Sequence, residues 1–352
     1  MIVKTYLLTI LILFIHQQET SCFINNFQPL LSITYDTTSK LFLKLKSSFY
    51  HNDQCLIDDI KKNITELELM INKNLYGQHI AGSYVLAAIG SHLIDKNPSK
   101  PLTMIFHGKT GTGKNYLATM IANAYFKNGE DSKYYHFINS RSDFPLDGSI
   151  DEYKKLLYDM VIENLKTCPE SIFVFDEVDM MQPGVLDVLV PFLNYKRNKK
   201  IHHNGYFIDI ITNRAIYIFL TNTGSQEIID TMIMLNNNGK KRNDMVLSDF
   251  EHLISLGAFN EKGGFYKSDA ISANLIDHYV PFLQLEYEHI KLCIEYAFNS
   301  RDAVANDESI QDVMAYVTFE EPPYHRFSKS GCKRIEQKTA TILYKNRSKD
   351  ET

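Results

Sequence analysis

The chain reads as an α/β protein: a parallel sheet flanked by helices, followed by a smaller, mostly helical C-terminal domain. Short and almost continuously apolar runs recur at 102–106, 135–138, 171–175, 215–220 and 279–283. Runs of that length and composition suit strands buried on both faces. Helical spacing separates the first three runs and a longer mixed segment precedes the last, which is the alternation of a parallel sheet. Beyond residue 285 the pattern changes to helical stretches at 287–299, 307–318 and 329–343, interrupted by Pro322-Pro323. These observations place a large α/β domain at 56–284 and a small helical domain at 285–352.

In chain order, Lys4 precedes an apolar stretch at 6–15, then polar residues at 16–20 and small residues before Phe23. The apolar core is too short for a comfortable membrane span and suits a secretory signal at 1–22, cleaved near Ser21 or Cys22. That predicts delivery to the endoplasmic reticulum lumen. An uncleaved anchor stays open, since residues 23–35 carry no charge and can lie on a membrane as a peripheral contact. Residues 23–55 read as an N-terminal lead-in. Leu56, Ile60, Ile64, Leu67 and Ile71 have helical spacing over 55–72, and 78–94 gives a second helix. Asn97-Pro98 and Pro101 then punctuate the chain ahead of the first strand.

That strand empties into Gly108-Lys109-Thr110-Gly111-Thr112-Gly113-Lys114-Asn115, and helical residues follow from Tyr116 to Phe126. Strand, glycine-rich turn and helix in this order form a phosphate-cradling loop. The glycines let backbone N–H groups turn toward phosphates, Lys114 reaches the β- and γ-phosphates, and the helix dipole adds to the attraction. Asn115 stands where Ser or Thr usually holds Mg²⁺. Its carboxamide oxygen can ligate the metal or a metal-bound water at a different reach, so ATP binding should survive and hydrolysis should be slow.

In parallel sheets ligands collect at the carboxyl ends of the strands. Asp176 and Glu177 follow the third run, where Asp176 can hold Mg²⁺ and Glu177 can orient and deprotonate the attacking water. Asn222 follows the fourth run and can hydrogen-bond the γ-phosphate or the same water. Lys333, within Gly331-Cys332-Lys333, is a cation on the small domain that can reach back over the nucleotide; the triplet by itself is weak evidence.

With 352 residues and 44% apolar composition the chain can bury a large core. A net charge of −5 without a long basic run argues against nucleic acid as a partner, and Lys240-Lys241-Arg242 reads as a solvated loop. If Cys22 leaves with the signal, Cys55, Cys168, Cys293 and Cys332 allow two disulfides in three alternative pairings. Asn63-Ile64-Thr65 and Asn346-Arg347-Ser348 are sequons for glycosylation in the lumen.

Together these segments resemble the torsins, lumenal AAA+ ATPases related to the Clp and Hsp100 unfoldases. The resemblance spans roughly 60–338. It includes Leu75-Tyr76-Gly77-Gln78-His79, GKTGTGKN with Asn115, FVFDEVDMM from Phe173 to Met181 and FLTNTGS from Phe219 to Ser225. It continues through SANLIDHYVPFLQLEYEHIKLCIE from Ser272 to Glu295 and FSKSGCK from Phe327 to Lys333. By this resemblance Lys114 and Asn115 belong to Walker A, Asp176 and Glu177 to Walker B, Asn222 is sensor one and Lys333 sensor two. It also implies that Cys332 pairs with Cys293, tying the lysine's helix to its neighbour.

The resemblance further implies ATP with Mg²⁺ as ligands, the endoplasmic reticulum lumen and nuclear envelope as location, and remodelling of proteins or membrane-associated assemblies as task. Clp-like relatives carry Asn-Arg-Ile-Asp before the last strand, with an arginine that reaches a neighbouring subunit's ATP. Here the matching residues are Asn274-Leu275-Ile276-Asp277. The expectation is therefore a partner, the lumenal domain of a membrane protein, that supplies the arginine; homo-oligomerisation stays open. Phe144-Pro145 stands where unfoldases carry a substrate-gripping aromatic but lacks the Tyr-Val or Phe-Val pair, so polypeptide threading is unsupported. A nucleotide-gated scaffold with negligible hydrolysis is the alternative reading, with Asn115 as its symptom. A small-molecule kinase leaves Asp176-Glu177, Asn222 and the helical tail unexplained.

Overall fold

The computed structural model describes residues 55, 59–145, 149–195 and 198–350. The expected signal segment, Cys22, and the lead-in ahead of Cys55 lie outside them. The described residues belong to one compact unit, Gln54–Thr352.

Its centre is a five-stranded sheet in the order β2-β3-β6-β1-β7. The strands are β1 (Leu102–His107), β2 (Tyr135–Asn139), β3 (Ile172–Asp176), β6 (Ile216–Thr221) and β7 (His278–Pro281). Every pairing among them is parallel. Strands β1 and β6 are buried along their whole length, as runs without alternating polar residues require when helices cover both faces. Successive side chains still point to opposite faces. Met104, Phe106, Val174 and Ile218 join one core, while Ile105, Phe173, Phe175 and Phe219 join the other. The registers Phe173↔Tyr217 and Phe175↔Phe219 stack these rings at 5.0 and 5.1 Å, locking β3 to β6.

Helices α1 (Ile64–Asn74), α2 (His79–Ile94) and α3 (Lys114–Tyr125) contribute to the first core, and α4 (Ile150–Thr167) to the second. Helices α5 (Ser225–Asn237) and α6 (Glu251–Asn260) share a third apolar cluster with Ile80, Leu283 and Phe327. A fourth cluster is drawn wholly from the chain from Leu285 onward, where α7 (Tyr287–Asn299), α8 (Asp307–Met314) and α9 (Ile335–Asp350) pack together. No helix among the described residues is long and apolar enough to cross a membrane.

Several helix limits differ from the sequence expectation. The helix expected over 55–72 begins only at Ile64. Before it, the amides of Lys61, Lys62 and Asn63 donate to the carbonyls of Tyr125 and Ala124 that end α3, and Asn63 then caps α1 through Glu66 N–H. The stretch 307–318 stops being helical at Met314. The last helix begins at Ile335 rather than near 329, because the Cys332 amide is spent on Gly111 O at 3.1 Å. A hairpin, β4 (Asn198–His203) with antiparallel β5 (Tyr206–Ile211), was absent from the expectation. Its turn is Asn204-Gly205, both with positive φ, as a two-residue hairpin loop requires.

The structure joins Cys55 to Cys168 and Cys293 to Cys332, one of the three pairings left open by the cysteine count. Phe144 is 2% exposed and meets the Tyr153 ring edge-on at 5.3 Å, so it presents no aromatic to a substrate. Arg242, expected in a solvated loop, is instead half-buried and engaged: its guanidinium donates to Gln284 O at 2.8 Å and Gly77 O at 2.7 Å.

Candidate functional site

The carboxyl ends of β1, β3 and β6 open into a cavity of about 530 Å³, in the size range of ligand sites. Thr110 to Asn115, Asp176, Glu177 and Asn222 line it, and Lys333 adds to the wall from the C-terminal region. Four segments far apart in sequence thus bring the predicted side chains to one place.

Helix α3 begins at Lys114, directly after the left-handed Gly113, so its unpaired first-turn N–H groups face the cavity. Lys114 is only 7% exposed. Its ammonium donates to Gly108 O, to Lys109 O at 3.1 Å and to Asn222 Oδ1 at 3.2 Å. Burial pulls its pKa down to about 8, with Asp179 and Asp176 opposing the fall. A buried cation satisfied by carbonyls, without a carboxylate in contact, is suited to receive an anion. Lys109 points elsewhere: its ammonium pairs with Glu320 at 2.6 Å, so its share in the phosphate loop is its backbone. Thr112 closes the loop by donating to Lys109 O at 2.8 Å.

Asp176 and Asn115 are neighbours, with Asn115 Nδ2 donating to Asp176 Oδ2 at 2.9 Å. Asn115 and Asp176 thus bring a carboxamide and a carboxylate together in the cavity wall, and both carry oxygen donors of the kind Mg²⁺ takes. Asp176 and Asn115 would hold the ion, and its chemistry there is neutralising phosphate charge. Glu177 has φ 53°, an unfavourable left-handed conformation for a residue with a side chain. The Asp176 carboxylate steadies it by accepting the Glu177 N–H at 3.0 Å. The register Asn139↔Asp176 puts the end of β2 alongside, and Arg141 Nε pairs with Glu177 Oε2 at 2.7 Å.

The Gly331 turn lies against the phosphate loop itself. A Cβ on Gly111 would sit 1.9 Å from Ser330 O, and one on Gly331 would sit 2.1 Å from Gly111 O. Both glycines have positive φ, and only glycine lets the two backbones touch. Gly331→Ala is therefore expected to destabilise the protein by about 1–3 kcal/mol through backbone strain, measured by thermal melting. An unchanged melt would mean that the loops do not meet.

Four contributors escaped the sequence reading. Buried Gln78 donates to Thr112 O and Leu283 O at 2.9 and 2.8 Å and accepts from Leu283 N at 2.8 Å, stitching α2 to the phosphate loop and to the exit of β7. Its signal was the quoted Gly77-Gln78 step, whose role no local pattern reveals. Glu320 and Arg141 have no motif. Asp179, the third acid of FDEVDMM, holds Asn222 by both its backbone and side-chain amide.

The family model named Torsin matches residues 49–175. A torsin-like protein of Drosophila melanogaster is 35% identical over 298 residues, covering 83% of this chain and 85% of that protein. A torsin-like protein of Caenorhabditis elegans is 34% identical over 308 residues, covering 87% and 84%. Among solved structures, the S. cerevisiae Hsp104–ADP complex aligns with a TM-score of 0.55 at 21% identity, over 81% of this chain. Hsp104 in a closed state with ATPγS and casein aligns with the same score at 18% identity. The chain spans about half the length of those Hsp104 chains, 48% and 47%. This likeness shows the fold, the AAA+ parallel sheet flanked by helices with a C-terminal helical region.

Proposed function

The chain belongs to the torsin family, and from that premise we propose that its cavity binds ATP with Mg²⁺ and hydrolyses it to remodel proteins or membrane-associated assemblies. The compartment we propose is the endoplasmic reticulum lumen and the nuclear envelope. The observation carrying this reading is the convergence of Lys114, Asp176, Glu177, Asn222 and Lys333 on one cavity. ADP in the Hsp104 structure of the same fold is further support for a nucleotide. Lys114 and the first-turn N–H groups of α3 receive the phosphates. Glu177 takes a proton from the attacking water, Asn222 aligns that water, and Lys333 covers the nucleotide from the C-terminal side. The two disulfides are in keeping with an oxidising lumen.

Glu177→Gln is the decisive variant. It should keep ATP affinity and lower turnover by about 10²- to 10⁴-fold, the usual contribution of a positioned general base. Turnover at the wild-type rate would remove Glu177 from that role. The second reading, a nucleotide-gated scaffold, is favoured by the Arg141–Glu177 pair, which holds the carboxylate in an ion pair. Multiple turnover in the presence of an activating partner separates the two.

A further inference from the structure

We infer that Asp179 is a positioning residue that fixes which end of Asn222 faces the nucleotide. This rests on the ATPase reading above and assigns a direction to one of its groups.

Asp179 lies in the turn Val178–Met180 just after Glu177, alongside the end of β6. One carboxylate oxygen accepts the Asn222 backbone N–H at 3.1 Å and the other accepts Asn222 Nδ2 at 3.1 Å. Thr221 Oγ1 approaches the first oxygen at 3.4 Å. Two bonds from one carboxylate hold both the backbone and the side chain of the same residue, which removes the rotational freedom of the amide. A carboxamide has a donor end and an acceptor end. With the donor end on Asp179, the acceptor Oδ1 faces the cavity, where it meets Lys114 Nζ at 3.2 Å.

The direction has a chemical consequence. Phosphate oxygens only accept hydrogen bonds, whereas a water molecule can donate one. An inward-facing Oδ1 therefore cannot bond the γ-phosphate directly; it can take an O–H of the attacking water and turn the water's lone pair toward phosphorus. The sensor loop is held from the other side as well: the ring of buried His107 bonds Thr223 O through Nδ1 at 3.0 Å, and Gly108 N–H donates to Thr221 O at 3.3 Å. Strand β1 and Asp179 thus fix the loop between them.

The test uses the full chain in excess over Mg·ATP, so that a single turnover is read without any partner. Asp179→Asn should slow that turnover by about 10²-fold, the effect of a small misplacement in a reacting site, with ATP affinity within about threefold of wild type. Asn222→Ala should do the same, and the double variant should be no slower than either single one. Asp179→Glu should recover part of the rate. A wild-type rate in Asp179→Asn, an equal loss of affinity and rate, or multiplicative effects in the double variant would each overturn the assignment. A second readout does not depend on hydrolysis. The Asn222 side-chain amide protons, assigned by their loss in Asn222→Ala, should resonate downfield in wild type and move upfield in Asp179→Asn. An unperturbed resonance in wild type overturns the proposal even if the protein hydrolyses ATP. A perturbed one with no hydrolysis by wild type upholds the clamp and sinks the ATPase reading instead.

Discussion

Lys114→Ala is expected to weaken ATP binding by roughly 10²- to 10⁴-fold, the loss that follows when one partner of a buried charge pair is removed, about 3–5 kcal/mol. The magnitude follows from where the ammonium sits. It is enclosed, its pKa pulled down to about 8 by burial, and bonded to the carbonyls of its own loop. A phosphate offers it a formal charge in place of carbonyl dipoles, so the bound state gains more than an exposed lysine would. Lys109→Ala is the internal comparison. Its side chain lies on Glu320, so it should change affinity far less. Titration calorimetry with ATP measures both, and wild-type affinity in Lys114→Ala would mean that phosphates bind elsewhere.

The sheet was legible because strands buried on both faces need unbroken apolar runs, a requirement visible within a few residues. Four strand ends were read one residue short, at His107, Asn139, Asp176 and Thr221, because the last strand residue there is polar. Those polar ends are where the sheet meets the site. Lys114, Asp176 and Glu177 were legible for a related reason: each lies at the end of a buried strand or a fixed step beyond it. Asp179 was not, since its meaning depends on Asn222, 43 residues away. The start of α1 was hidden because tertiary hydrogen bonds to the end of α3 decide it, overriding the apolar spacing at Leu56 and Ile60. The hairpin carried its turn signal in Asn204-Gly205. Its first strand, with Lys199, Lys200, His202 and His203, lacks the apolar alternation that would have announced it.

The other large effect concerns an arginine. The position that holds an arginine in Clp-like relatives is Leu275, 3% exposed and packed in the second core. Its carbonyl accepts Lys100 Nζ and Thr103 Oγ1, and neighbouring Asp277 pairs with Lys100 at 2.6 Å, which anchors the segment to β1. Nothing there can reach a neighbouring nucleotide. Arg242 is committed to the Gly77 and Gln284 carbonyls, and Arg301, in the turn after α7, donates back to Ala297 O on that helix at 2.8 Å. Arg141 is paired with Glu177, the group proposed to accept a proton. An arginine that stabilises the transferred phosphoryl contributes about 10³- to 10⁵-fold in rate, roughly 4–7 kcal/mol of barrier. The chain alone, even self-assembled, is therefore expected to turn over ATP slower by that factor than it does beside a protein that docks an arginine at the open side of the cavity. The proposed donor is the lumenal domain of a membrane protein. Steady-state turnover by residues 23–352, alone and with candidate lumenal domains, measures the effect. Replacing the donor's arginine with alanine should return the rate to that of the isolated chain while docking persists. Brisk multiple turnover by the isolated chain, indifferent to any partner, would show that its own residues supply the charge and that the apolar Leu275 has no consequence for catalysis.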